Sequence, residues 1–122
     1  MKLRRGFLLI GLALVVSATP ASGRSKYRCL LVVNGRTFLS GPCNFEPLDK
    51  DGSFMFGQKG NPYFAYLLRY PNETWGSWNE NPQSSHADAS LGSMRQQGAC
   101  WINVTGGFSG GEPGTNKICA WK

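Results

Sequence analysis

Tyr27-Arg28-Cys29-Leu30-Leu31-Val32-Val33-Asn34-Gly35-Arg36-Thr37-Phe38-Leu39 is the stretch whose reading decides the fold. Its first seven residues are rich in β-branched and apolar side chains, as strands are. Asn34-Gly35 accepts the positive φ angles of a type I′ turn, whose twist matches two antiparallel strands. The stretch therefore predicts a β-hairpin. A two-residue turn sets Cys29 beside Ser40, so that Cys43 reaches Cys29 after a small kink. Gly41-Pro42 reads as the break that ends the second strand.

Outward from the hairpin, short apolar runs alternate with turn signals. Asp49-Lys50-Asp51-Gly52 is a turn before a strand over Ser53–Phe56. Its Asp-x-Asp spacing lacks the further ligands and distal Glu of a calcium loop. Tyr63–Tyr70 is apolar on both faces and predicts a central strand. Thr74–Asn79 predicts a short strand. Glu80–Ser93 is polar and reads as the longest loop, with Leu91–Gln97 offering at most one helical turn. Ala99–Val104 and Ile118–Trp121 complete the strands. Gly106–Gly114 holds five glycines and one proline and reads as a loop tip. The expected fold is all-β, a small antiparallel barrel or sandwich.

The chain has 122 residues, 41% hydrophobic and 16% charged, which excludes a collagen, a coiled coil and a charged disordered tail. Met1–Gly23 reads as a signal peptide: Lys2, Arg4 and Arg5 precede an apolar stretch too short to span a bilayer well, then small residues. Arg4-Arg5 also fits a twin-arginine export signal. Removing 23 residues from 122 leaves residues 24–122, a single domain of 99 residues, and lowers the net charge from +6 to +3. The expected location is periplasmic or secreted, with no transmembrane anchor.

Cys29, Cys43, Cys100 and Cys119 agree with export, since an even number of cysteines in a short exported domain implies disulfides. Of three possible pairings, Cys29–Cys43 and Cys100–Cys119 each bracket a predicted hairpin and are expected. A zinc site is disfavoured, because there is no C-x-x-C and only one His.

Gly41-Pro42-Cys43, Trp78-Asn79, Gly98-Ala99-Cys100-Trp101 and Ile118-Cys119-Ala120 together resemble a group of small exported proteobacterial proteins that have no characterised activity. The resemblance implies an envelope or secreted location and both disulfides. It implies no ligand, cofactor or catalytic residue. The size, leader and two bridges are also similar to periplasmic lysozyme inhibitors, by analogy only.

Ser84-Ser85-His86-Ala87-Asp88 contains the residue types of a catalytic triad, but five consecutive residues do not readily place an imidazole between nucleophile and carboxylate. No enzyme is expected, and neither a cofactor nor a metal. Trp101 and Trp121, each close to a bridge cysteine, are expected in the core. Trp75 and Trp78 lie three apart, so they face opposite sides of a strand and at most one is deep core. With Asn79, Asn81, His86 and Asp88 they form the candidate ligand site, since flat rings beside amides and carboxylates suit sugars. The expected function is non-catalytic binding of a glycan or other envelope component. The alternative is a protein-binding inhibitor of a secreted hydrolase, contacting it through the loops after Trp78 and Val104.

Arg24, Lys26 and Arg28 gather at the expected mature N-terminus, where they suit an anionic envelope polymer or simply water. A mature charge of +3 without a basic run gives no case for nucleic acid. Asn72-Glu73-Thr74 and Asn103-Val104-Thr105 match the N-glycosylation sequon, Asn72 being the better acceptor in a eukaryotic host. The sequence leaves the oligomeric state open.

Overall fold

The structure, a computed structural model, describes residues 26–105 and 112–122. The expected signal peptide (1–23), Arg24 and most of the glycine-rich tip (106–111) lie outside them. The described residues contain no helix. Eight strands follow one another: β1 Tyr27–Val33, β2 Arg36–Pro47, β3 Phe54–Gln58, β4 Asn61–Arg69, β5 Thr74–Trp78, β6 Ala89–Gln97, β7 Cys100–Asn103 and β8 Lys117–Trp121. Each pairs antiparallel with the next, and β8 pairs back to β1, closing a barrel.

Asn34 (φ 53°) and Gly35 (φ 80°) both adopt positive φ, as the predicted turn requires. Phe38 is then inserted as a bulge: Val32 pairs with Thr37 but Leu31 with Leu39. The bulge moves Cys29 from Ser40 to a partner at Gly41, which leaves Cys43 one diagonal step away. Both predicted disulfides form, Cys29–Cys43 and Cys100–Cys119. Their sequence separations are 14 and 19 residues. Loops of that length correspond to about 3 kcal/mol of denatured-state entropy each.

Gly41-Pro42 does not end the second strand. β2 continues to Pro47, pairing first with β1 and then, from Asn44, with β3. β6 does the same, pairing with β5 as far as Ser93 and with β7 from Met94. These two strands are the corners where one sheet turns into the other, and each carries a glycine with positive φ near its bend: Gly41 (111°) and Gly92 (97°). The expected irregular run Glu80–Ser93 is thereby corrected. It is a loop only as far as Asp88, and Leu91–Gln97 is strand rather than a helical turn.

Closure gives every strand an inner and an outer face. Leu31, Leu39, Phe56, Leu67, Leu91 and Ile118 are fully buried inside, each stabilising the fold by about 1.5–3 kcal/mol. Aromatic clusters fill both ends. At the upper end, which carries the β1–β2, β3–β4, β5–β6 and β7–β8 connections, Phe38, Tyr63 and Trp78 pack with ring centroids 4.7–5.5 Å apart. At the lower end Phe45 stacks on Tyr27 (4.3 Å) and meets Phe54 (4.9 Å). Arg69 lies 5.0 Å over the Trp101 ring, which is buried as expected. Trp121 is not in the core. It is 40% exposed, because it shares the outward face of β8 with Cys119.

At Gly92 a Cβ would lie 2.5 Å from the Thr105 carbonyl oxygen, on a backbone conformation that L residues rarely adopt. Gly92→Ala is expected to lower unfolding free energy by about 2–4 kcal/mol in urea. Gly98→Ala, also at positive φ but with open space around it, should cost only about 1 kcal/mol. Equal effects would remove the corner role of Gly92.

Candidate functional site

Three buried asparagines organise the upper end. Asn79 follows the last residue of β5 and is 1% exposed. Its side-chain oxygen accepts the Phe64 N–H (2.7 Å) and its amide donates to the carbonyl of Pro62 (2.8 Å), with longer bonds to those of Asn81 and Ser84. Asn103 accepts the N–H groups of Gly114 and Asn116 and donates to the Glu112 carbonyl (3.2 Å) and the Thr105 carbonyl (2.6 Å). Asn116 accepts the Asn34 N–H and donates to the Leu91 carbonyl, tying the β7–β8 connection to the first hairpin and to β6. Each amide satisfies buried backbone groups that no strand ladder reaches.

These contacts divide the six candidate ligand residues. Trp78 is 3% exposed and its ring is covered by Phe38 and Tyr63. Asn79 has its amide engaged by backbone. Both belong to the scaffold, and neither presents a face to solvent. Asn81, His86 and Asp88 do come together, lining an open hollow of about 430 Å³ with Glu80 and Ser84. The Ser84 hydroxyl bonds the backbone of His86, accepting its N–H and donating to its carbonyl. The triad-like run is therefore folded as a local turn, with the hydroxyl directed at backbone rather than at the imidazole.

Trp75 lies apart from that hollow. It is 37% exposed on the outer face of β5, toward the lower end. The register places it beside Leu68 of β4 and Ser93 of β6. One row further up, Glu46, Met55, Tyr66, Ser77 and Ser90 stand side by side across five strands. Above them Phe64 stands beside Gly57 and Asn44, and its ring meets Tyr66 edge-on at 6.0 Å. Because Gly57 has no side chain, a furrow of about 480 Å³ opens there, lined in part by Asn44, Glu46, Met55 and Phe64. Phe64, Tyr66 and Trp75 thus form an aromatic outer wall with polar neighbours.

Phe64 and Tyr66 were not singled out from sequence. The signal was present: Tyr63–Tyr70 is apolar on both faces, which suggests burial on both. A strand of a closed barrel has only one inner face, so its second apolar face lies on the surface.

The sequons also separate. Asn103 is 2% exposed with its amide engaged, whereas Asn72 is exposed in the β4–β5 turn. In the Asp49 turn the carboxylate accepts the N–H groups of Ser53 and Asp51. Bonding from the Ser53 backbone, foremost, and its side chain holds the Asp49 carboxyl below the usual carboxylate range. No group of three potential metal-ligating side chains occurs among the described residues. Nor is any helix among them long and apolar enough to cross a membrane. Two disulfides are consistent with an oxidising, extracytoplasmic environment.

Scans of protein-family models, of curated proteins and of solved structures find no match to this chain.

Asn79→Ala and Asn116→Ala should each lower unfolding free energy by about 2–3 kcal/mol, through unsatisfied buried backbone groups. His86→Ala and Asp88→Ala should stay within about 0.5 kcal/mol. A mild Asn79→Ala would contradict its role as a clasp.

Proposed function

We propose that this protein is an exported, non-catalytic binding domain whose ligand is a glycan of the cell envelope or its surroundings, in the periplasm or outside the cell. The observation that carries this reading is the outward row of Phe64, Tyr66 and Trp75 on adjacent rigid strands, next to the Gly57 furrow. Sugar rings present apolar faces that stack on aromatic rings, while their hydroxyls take hydrogen bonds. Asn44, Glu46, Ser77 and Ser90 supply donors and acceptors at the edges of the aromatic strip. Strands hold these groups in place before the ligand arrives, so little side-chain order is lost on binding.

The hollow lined by Asn81, His86 and Asp88 is the weaker glycan site. It offers hydrogen bonds and charge but no ring, since Trp78 is covered. A second reading, the hydrolase inhibitor, draws on a different observation: the β5–β6 and β7–β8 connections leave the same end of the barrel, and buried amides pre-order their bases.

Titrating the oxidised protein with a glycan panel, including peptidoglycan fragments, should give a saturable change in tryptophan fluorescence for one class. Trp75→Ala is expected to weaken that binding about tenfold or more with a melting temperature close to that of the parent. An Asn81→Ala/His86→Ala/Asp88→Ala triple should leave it nearly unchanged. Loss in the triple alone would move the site to the loop hollow. No glycan response, with inhibition of a lytic hydrolase, would favour the second reading.

A further inference from the structure

Around the barrel from Trp75, beyond Ser93 of β6, the outer surface has different chemistry. On the outer faces of β6, β7, β8 and β1 the register sets Arg95, Ile102, Lys117 and Val32 side by side, with Thr37 of β2 next. Arg28 stands lower on β1, between Trp121 and Pro42. No acidic residue occurs in β1, β6, β7 or β8. The seven acids lie outside these strands: Glu46 on the aromatic side of β2, and Asp49, Asp51, Glu73, Glu80, Asp88 and Glu112 in connections, Glu73 lining an open hollow that Arg95 also lines.

Among the described residues, the cations divide into those seated on a ring and those with neither ion pair nor ring contact. Arg36, Arg69 and Lys122 each lie over an aromatic ring, those of Phe38, Trp101 and Tyr27. Arg28, Arg95 and Lys117 are of the second kind, as are Lys26, Lys50 and Lys59, but those of the wall stand on strands β1, β6 and β8. Arg95 and Lys117 are two strands apart, about 10 Å, and Lys117 and Arg28 are separated by about four residues of strand, roughly 13 Å. An open hollow of about 410 Å³ lies beside Arg95, lined also by Gln97, Ile102 and Pro113.

We propose that this wall binds an acidic polysaccharide, a linear polymer bearing carboxylate, sulfate or phosphate groups. Unpaired cations at fixed spacing match repeated anionic groups, and several weak contacts along one chain add through effective concentration. Ile102, Val32 and Leu30 lie between the cations as apolar ground for sugar faces. The row runs around the circumference of a closed cylinder. A flexible polymer can follow that curve, whereas a flat bilayer touches it along one line. Single-stranded nucleic acid is held by several stacking rings, and this wall carries only Trp121, at its edge. Lys117, Val32 and Arg28 stand on β8 and β1, well around the barrel from Trp75, whereas Arg95 is two residues along β6 from Ser93, the register neighbour of Trp75; Trp75→Ala therefore separates this wall from the aromatic glycan site.

The test is binding of the oxidised protein to polygalacturonate, with dextran as the neutral control, at about 20 mM and 150 mM salt. Saturable binding to polygalacturonate alone, weaker at higher salt, is expected. Arg95→Gln/Lys117→Gln should weaken it about tenfold, and Lys50→Gln/Lys59→Gln, which removes the same charge elsewhere, less than about twofold. Arg28→Gln is the second wall variant should the first double melt early, and Trp75→Ala should bind like the parent. Equal weakening by both doubles would reduce the effect to net charge and overturn the site. So would absence of binding at low salt, or tighter binding to phosphatidylglycerol vesicles or duplex DNA at matched charge.

Discussion

Pairing of β8 with β1 is the constraint on which everything else depends. It removes both sheet edges and leaves each strand one face for the core and one for water. With eight strands the interior is filled by Leu31, Leu39, Phe56, Leu67, Leu91 and Ile118, and rings plug both ends. The hollows lined by described residues are open ones on the outer surface, and the proposed recognition is placed there.

Closure also requires two sharp corners, and these explain where local sequence signals mislead. The hairpin at Asn34-Gly35, the strands Tyr63–Tyr70 and Ala99–Val104, and both disulfide pairings were legible, because turn chemistry and apolar runs there agree with the final packing. β6 was not legible. Gly92 and the extra residue Leu91 break its alternation, and its polar second half reads as loop. Gly41-Pro42 misled in the same way, as a stop signal that proves to be a bend. In both cases backbone freedom serves the barrel's shape rather than the end of a strand.

The candidate site was legible in part, and for a definable reason. The spacing of Trp75 and Trp78 correctly placed them on opposite faces, but nothing local indicated which one faced out. Asn79 resembles a ligand contact in sequence because buried and exposed asparagines look alike there. Only the tertiary fold shows its amide turned toward Phe64 and Pro62. Trp121 was misplaced by its closeness to a cysteine, although residues two apart on a strand share a face. Conversely, the outward rings of Phe64 and Tyr66 become meaningful only once the barrel is known to be closed.

The resulting molecule is a rigid cylinder with two unlike walls, one aromatic over β3–β5 and one cationic over β6–β8 and β1. Both are built on strands, and the bases of the β5–β6 and β7–β8 connections are held by internal amides. The central claim is that recognition takes place on the wall rather than in the barrel or at its loops. The most direct measurement is a two-dimensional nitrogen–proton spectrum of the isotope-labelled oxidised protein, recorded as the responding glycan is added. The account predicts shifts at the Trp75 indole N–H and at amides of β3, β4 and β5, with those of residues 79–88 unmoved. Shifts confined to residues 79–88, or spread through the core amides of all eight strands, would contradict it.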